Sequence, residues 1–364
     1  MATPDDVRGV LTQVKDPALQ IDFVSAGMVR DVAVNDGRVR IGIDLTTAAC
    51  PSRDVIDKSI RAAVTRLSGV QAVDIVFGVK LVGRQPSAQS ARLPGVKNII
   101  AVAAGKGGVG KSTVATNLAC ALRLDGASVG IMDADIYGPS VPLMMGDPDV
   151  AAAMDVGNKI TPAIHHGLRI ISVGFFVDRG GAVIWRGPMV HKLLQQFLED
   201  VAWGELDYLV VDLPPGTGDA QLSLSQLIPI TGAVMVTTPQ EVSIIDVEKA
   251  MSMWKRVEVP ILGVVENMSF YVCPTCGHHD EIFSRGGGRA LAQRENVPFL
   301  GELPLHPSVR GGGDAGKPIV LADPGGAAAT AFRAMARTVA CALSVHNVPD
   351  PGSGKRSGKL TLIR

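Results

Sequence analysis

Apolar and polar positions along the chain follow two regimes that meet near residue 90. Before that point alternation dominates. Met28–Val34 and Arg38–Leu45 alternate apolar and polar residues, the period of strands with one covered face. Between them Asn35-Asp36-Gly37 favours a hairpin turn. Asp5–Val14 reads as a short helix. Pro51 suits a first helical position, and Val55, Ile56, Ile60, Ala63, Val64 and Leu67 recur behind it at helical spacing. Ala72–Val79 reads as a third strand, so a small α+β domain is expected over 1–83.

Residues 84–95 are polar, hold two prolines and show no apolar period, which reads as a linker. Beyond it, runs apolar on both faces alternate with helical stretches. The expected strands are Asn98–Ala103, Ser128–Met132, Arg169–Val173, Tyr208–Val211, Ala233–Thr237, Ile261–Val265 and Phe299–Leu303. Expected helices include Lys111–Leu124, His191–Val201, Ser243–Val257 and Ala327–Val345. Doubly apolar strands belong to a mostly parallel sheet covered by helices on both faces, here over 96–348. The Gly/Ser/Lys-rich stretch 349–364 reads as a flexible tail.

Composition narrows the function classes. Lys+Arg and Asp+Glu both number 35, so no bulk charge draws the chain to nucleic acid. Hydrophobic residues at 46% suit a globular chain, and aromatics at 4% call for an aliphatic core. The first ten residues lack the apolar stretch of a signal peptide, and no run reaches membrane-spanning length. A cytoplasmic chain with reduced thiols and no membrane partner is expected.

Gly105-Lys106-Gly107-Gly108-Val109-Gly110-Lys111-Ser112 fits G-x-x-x-x-G-K-[ST] between a strand and a helix. Glycines let backbone N–H groups turn onto a phosphate, and the helix start adds partial positive charge. Lys111 is expected on the β- and γ-phosphates and Ser112 on Mg2+, with Thr113 also among the nucleotide-binding residues. The fold class expected is therefore α/β, a P-loop NTPase preceded by the small α+β domain. Asp133, Asp135 and Asp212 follow apolar strands whose ends face the same loop. Singly each could cap a strand end. Together they suit a Mg2+ nucleotide, with Asp212 acting on the metal through water. Asn267 also follows a strand, where its type fits a turn or a nucleotide contact.

Of five cysteines, Cys273 and Cys276 form a C-x-x-C turn closed by Gly277. A zinc ribbon needs a second pair of ligands, and the chain has no second C-x-x-C. His278 and His279 follow too closely to complete a tetrahedron with the same turn. Two subunits related by a two-fold axis would supply four thiolates to one centre. Iron–sulfur, inter-subunit zinc and a redox dithiol all remain open on spacing alone. Cys120 and Cys341 have apolar neighbours and read as buried. Cys50, at a strand-to-helix junction, is open between a buried and a reactive thiol.

Lys106 is extra to an ordinary phosphate loop. Lys-Gly-Gly-x-Gly-Lys-Ser resembles the deviant loop of the MinD and nitrogenase-iron-protein class. Residues 98–320 resemble the Mrp/ApbC-type iron–sulfur cluster carrier ATPases, through Ile184-Trp185-Arg186-Gly187-Pro188-Met189, Asp212–Asp219, Gly313-Asp314-Ala315-Gly316-Lys317-Pro318 and the cysteine pair. Residues 5–80 resemble the iron–sulfur-assembly domain fused ahead of such ATPases, through Asp16-Pro17, Ile21–Val29 and Thr46–Pro51. Thr47-Ala48-Ala49 departs there from the more usual Ser/Pro/Gly-rich approach to Cys50.

The resemblance implies ATP hydrolysis in a homodimer, with Lys106 acting across the interface on the partner's nucleotide. It implies that Lys106, Lys111 and Asp135 are catalytic, Asp135 orienting the attacking water. Asp133 would support Mg2+ with Ser112 and Asp212, and Asn267 would touch adenine. It also implies a labile 4Fe–4S cluster bridging two subunits at Cys273 and Cys276, handed to apo iron–sulfur proteins and exchanged with scaffold proteins. Two other activities compete: a MinD-like positioning ATPase cycling on membrane, and an ATP-dependent electron-donating reductase. The C-x-x-C has no task in the first, and the second uses isolated cysteines.

Overall fold

The computed structural model describes residues 2–84, 93–146, 159–176, 187–216, 218–273 and 275–348. The linker residues 85–92, the tail 349–364, Ile184–Arg186 of one resemblance motif, Thr217 and Pro274 lie outside them. The chain divides into two compact units, 84–339 and 1–83 with 340–364.

In the first unit α1 (Pro4–Leu11) opens on a capping box, in which Thr3 accepts from the Asp6 N–H and Asp6 from the Thr3 N–H. The strands β1 (Val29–Asn35) and β2 (Arg38–Leu45) pair antiparallel. Asp36 and Gly37 between them lie at φ +47° and +78°, the left-handed pair that a two-residue hairpin turn requires. Next, α2 (Arg53–Val64) buries Ile56, Ile60 and Val64, one residue per turn, and crosses over to β3 (Ala72–Val79). That strand pairs parallel to β2. Val345 and Val348 join this unit's core beside Ile41, Ile43, Ile56 and Ile60.

The second unit runs β4 (Val96–Ala104), α3 (Lys111–Leu124), β5 (Val129–Asp133), α4 (Val141–Met144), β6 (Ala163–His165), β7 (Leu168–Ser172) and α5 (Gly187–Glu199). It continues β8 (Leu206–Asp212), α6 (Asp219–Leu227), β9 (Gly232–Thr237), α7 (Glu241–Arg256), β10 (Ile261–Val272) and β11 (His279–Asp280). It closes with α8 (Gly287–Arg294), β12 (Phe299–Leu305), α9 (Pro307–Asp314), α10 (Ile319–Ala322) and α11 (Ala327–Asn347), whose last turns belong to the first unit.

The sheet order is β11-β10-β9-β4-β8-β5-β7-β6, with β12 also paired to β10. All pairings are parallel except β6–β7 and β10–β11 at the edges. Seven strands are legible in the apolar runs, whereas this sheet has nine among the described residues. The two added ones, β6 and β11, are three and two residues long, too short to display a period. The expected strand Ile261–Val265 extends to Val272, because its polar residues find partners inside the protein. β8 and β9 are buried almost throughout, and α3 buries every residue from Val114 to Leu122. Such a centre leaves function to the loops at the strand ends.

One contact outside the sheet has no side chain in it. Gly146 and Gly316, both left-handed at φ +83° and +68°, meet backbone to backbone. A Cβ on Gly316 would fall 1.9 Å from the Gly146 Cα. The His166 ring bonds the Gly316 carbonyl at 3.0 Å.

Candidate functional site

The loops after β4, β5 and β8, with Asn267 midway along β10, hold the candidate nucleotide residues. After β4 the chain turns through Gly108 and Gly110, both at φ +82°, and enters α3 at Lys111. These two glycines are required by backbone conformation. Gly105 is required by space, since its Cβ would lie 2.2 Å from the backbone carbon of Asp246 on α7.

Lys111 is buried, and its Nζ lies 2.6 Å from Asp212 Oδ1 and 3.5 Å from Asp135 Oδ2. It also donates to Ser112 Oγ at 3.2 Å. Asp133 accepts from the Asp135 and Val141 N–H groups and from Ser172 Oγ, which fixes the strand end to α4 and β7. Asp133 and Asp212 are both fully buried. Burial holds both carboxyls above the usual carboxylate range; the Asp212 charge pushes Asp133 further up, while Lys111 draws both down. Asp212 Oδ2 is buried with no hydrogen-bond partner among the described residues. An unpartnered carboxylate oxygen with a serine hydroxyl on the same carboxylate is a donor set that suits Mg2+. The Gly216 N–H donates to the Ala104 carbonyl at 3.0 Å, tying the segment after β8 to the end of β4. Lys106 is half-buried and forms no ion pair among the described residues.

Asn267 is buried, and its Nδ2 donates to the Val109 carbonyl at 2.8 Å. The side chain expected on adenine is thus placed on the phosphate loop itself. Sequence reasoning missed its neighbour Glu266. This carboxylate is fully buried and accepts from Ser269 Oγ, the Gly286 N–H at 2.9 Å and the Gly288 N–H at 2.6 Å. It satisfies the open N–H groups at the start of α8. A buried glutamate inside an apolar strand, ahead of a Gly-Gly-Gly helix start, was the available signal.

Cys273 and Cys276 lie on the turn joining β10 to β11. The Cys273 N–H donates to the His278 carbonyl and the Gly277 N–H to the Cys273 carbonyl, each at 2.9 Å. Cys273 is half-buried and Cys276 exposed. The backbone N–H groups of Cys276 and Thr275 hold the Cys273 thiol below its ordinary value, since they stabilise the thiolate. No third His, Cys, Asp or Glu joins them in a metal-holding group among the described residues. His279 instead stacks on Phe270, centroids 5.2 Å apart. The other thiols differ. Burial pushes Cys50 up to about 11 and Cys120 and Cys341 up to about 12, so the reactive alternative for Cys50 is not supported.

A glycine-turned loop opening a core helix, a lysine at its start and buried aspartates at neighbouring strand ends define a P-loop nucleoside triphosphatase. The model of the NUBPL iron-transfer P-loop NTPases matches residues 95–340, and that of an iron–sulfur cluster assembly protein matches residues 4–75. The chain is 48% identical to an iron–sulfur cluster carrier protein of Deinococcus radiodurans, over 95% of this chain and 97% of the relative. It is 42% identical to that of Escherichia coli, over 95% and 94%. An Archaeoglobus fulgidus nucleotide-binding protein solved in complex with ADP superposes with a TM-score of 0.55 at 38% identity, covering 63% of this chain and 90% of that one. The chain belongs to the iron–sulfur cluster carrier family of P-loop NTPases. That membership does not favour the membrane-cycling alternative, and no described helix is long and apolar enough to cross a membrane.

Proposed function

We propose that this chain is an ATP-hydrolysing iron–sulfur cluster carrier that works as a cytoplasmic homodimer. Cys273 and Cys276 of two subunits hold one 4Fe–4S cluster as cargo, which passes to apo iron–sulfur proteins. The observation that carries this reading is the cysteine hairpin. It offers two thiols, one biased towards thiolate, and no third ligand among the described residues. Two such hairpins make the four-thiolate set of a cubane cluster.

In this reading the phosphate loop binds the nucleotide. Lys111 balances the β- and γ-phosphate charge, and Lys106 reaches the partner subunit's nucleotide. Ser112 and Asp212, supported by Asp133, hold Mg2+, which draws charge from the phosphate oxygens when bound. Asp135 orients the attacking water. Closure of two loops around two nucleotides brings the subunits together, and the segment after Asp212 carries that movement away from the phosphates.

Anaerobic reconstitution followed by absorption spectra, iron and sulfide analysis and light scattering tests the proposal. One cluster per two chains is expected, and none in a Cys273→Ala/Cys276→Ala double variant. Equal loading of the double variant, or zinc uptake with no sulfide, would overturn it.

A further inference from the structure

The strand β10 is interrupted midway. Its ladder with β9 ends at the Glu266↔Thr237 pair. Against β12 it pairs Glu266 with Glu302 and next Phe270 with Pro304. Four steps along β10 thus answer two along β12, and part of Asn267-Met268-Ser269 is extra chain in the ladder. Met268 lies at φ +55°, a left-handed conformation that a residue with a long side chain keeps only where its surroundings hold it.

Both sides of the interruption are tied to functional groups. Asn267 Nδ2 holds the Val109 carbonyl. A Cβ on Gly110 would meet Asn267 Nδ2 at 2.2 Å and Met268 Cε at 3.7 Å, so these side chains press on the loop where it enters α3. On the other side Phe270 stacks on His279, and the Arg285 guanidinium lies 5.3 Å from its ring centroid. Tyr271 and Val272 pair with Asp280 and His279, and Cys273 follows. Glu266, with its three hydrogen bonds, anchors the strand just before the interruption. Anchor, loop contact, left-handed turn and first cysteine occupy eight consecutive residues.

The Val109 carbonyl and the Gly110 N–H belong to one planar peptide. A phosphate that draws on the N–H rotates the carbonyl with it, and Asn267 grips that carbonyl. A regular strand would resist such a rotation. A left-handed residue with a long side chain is strained, so the turn at Met268 is where β10 yields first.

We propose that Asn267 and the left-handed turn at Met268 couple the phosphate loop to the cysteine hairpin. Asn267 is a positioning residue that reads the Val109–Gly110 peptide, and the interruption transmits its displacement along β10 to Cys273. This deepens the carrier function proposed above and rests on it. Coupling between two binding sites is reciprocal, so a cluster on the cysteines must alter nucleotide affinity by the factor with which nucleotide alters cluster affinity.

The test titrates full-length protein anaerobically with a fluorescent ADP analogue and Mg2+, with and without reconstituted cluster. Loading is expected to change wild-type ADP affinity by about fivefold or more. Asn267→Ala and Met268→Gly should each bring that ratio to within about twofold, while iron and sulfide per chain stay at the wild-type level. Glycine accepts the left-handed conformation and its alternatives about equally, so Met268→Gly folds where Asn267→Ala fails to, yet absorbs the displacement instead of passing it on. A wild-type ratio near one, or a ratio retained in either folded variant, overturns the coupling. Equal weakening of ADP in loaded and unloaded Asn267→Ala marks a plain nucleotide contact and overturns it too. Failure of the carrier reading shows itself separately, as a wild type without iron and sulfide, and it removes both proposals.

Discussion

Replacing Glu266 by Gln tests whether the anchor of β10 is electrostatic or merely space-filling. The two side chains have nearly the same volume, so packing is preserved. The carboxylate accepts from Ser269 and Gly286 on one oxygen and from Gly288 on the other. An amide supplies only one acceptor. Its NH2 must then face either the Gly288 N–H or the Gly286 N–H, donor against donor. An unmet buried donor costs about 1–3 kcal/mol, and a bond that loses its charged acceptor about 1 kcal/mol more. Removing a negative charge from the start of α8 adds about 0.3–1 kcal/mol. The expected loss is about 2–5 kcal/mol, a large part of the roughly 5–15 kcal/mol that holds a domain together. For a unit of this size that lowers Tm on the order of 5–15 °C. Urea unfolding of the unloaded protein, followed by tryptophan fluorescence, to which the buried Trp203 and Trp254 both contribute, measures it. A Gln variant within about 0.5 kcal/mol of wild type would refute the reasoning, because surface-like substitutions fall in that range.

Other outcomes follow from the site. Gly110→Ala places a Cβ where Asn267 Nδ2 stands and in a backbone conformation alanine disfavours; ADP affinity should fall at least about tenfold, a cost of about 1.4 kcal/mol, and an unchanged titration would contradict the loop geometry. The buried Asp133 carboxyl is raised to about 8, against about 3.9 when unfolded, so the folded chain holds its proton more tightly. Stability present below the unfolded value is lost as pH rises towards 8; urea midpoints of the unloaded protein should fall from pH 5 to 8, and Asp133→Asn should flatten that slope. Brief iodoacetamide labelling read by mass spectrometry should modify Cys273 ahead of Cys50, Cys120 and Cys341, whose thiols burial pushes up. Labelling of Cys50 first would reverse that assignment.

The phosphate loop was legible because its chemistry sits in eight contiguous residues whose glycines declare the backbone they serve. The aspartates at strand ends were legible because apolar runs point at them. The role of Glu266 was not. Two of its three partners are backbone N–H groups twenty and twenty-two residues further on, which the sequence marks only by the Gly-Gly-Gly that carries them. For the same reason Glu266 and Asn267, polar residues after an apolar run, read as a strand end, although the strand continues through them to Val272. The helix α8 was hidden by its glycines, poor helix formers that the glutamate compensates. The sequence singles out Asn267, but the atom it holds depends on how β10 lies against the loop, a tertiary fact.

The Gly313–Pro318 motif marked the family resemblance without offering any chemistry, and Gly316 gives it a physical meaning. Its contact with Gly146 excludes every side chain from both positions at once. Neither can be rescued by changing the other, since both backbones are left-handed and each fills the space of the other's missing Cβ. Such a pair shows no covariation however many relatives are compared, because covariation needs tolerated alternatives. Wherever identity is retained at Gly146 and Gly316 it records a seam between two backbones, and a search for catalytic residues guided by invariance alone would mistake it for part of the reaction.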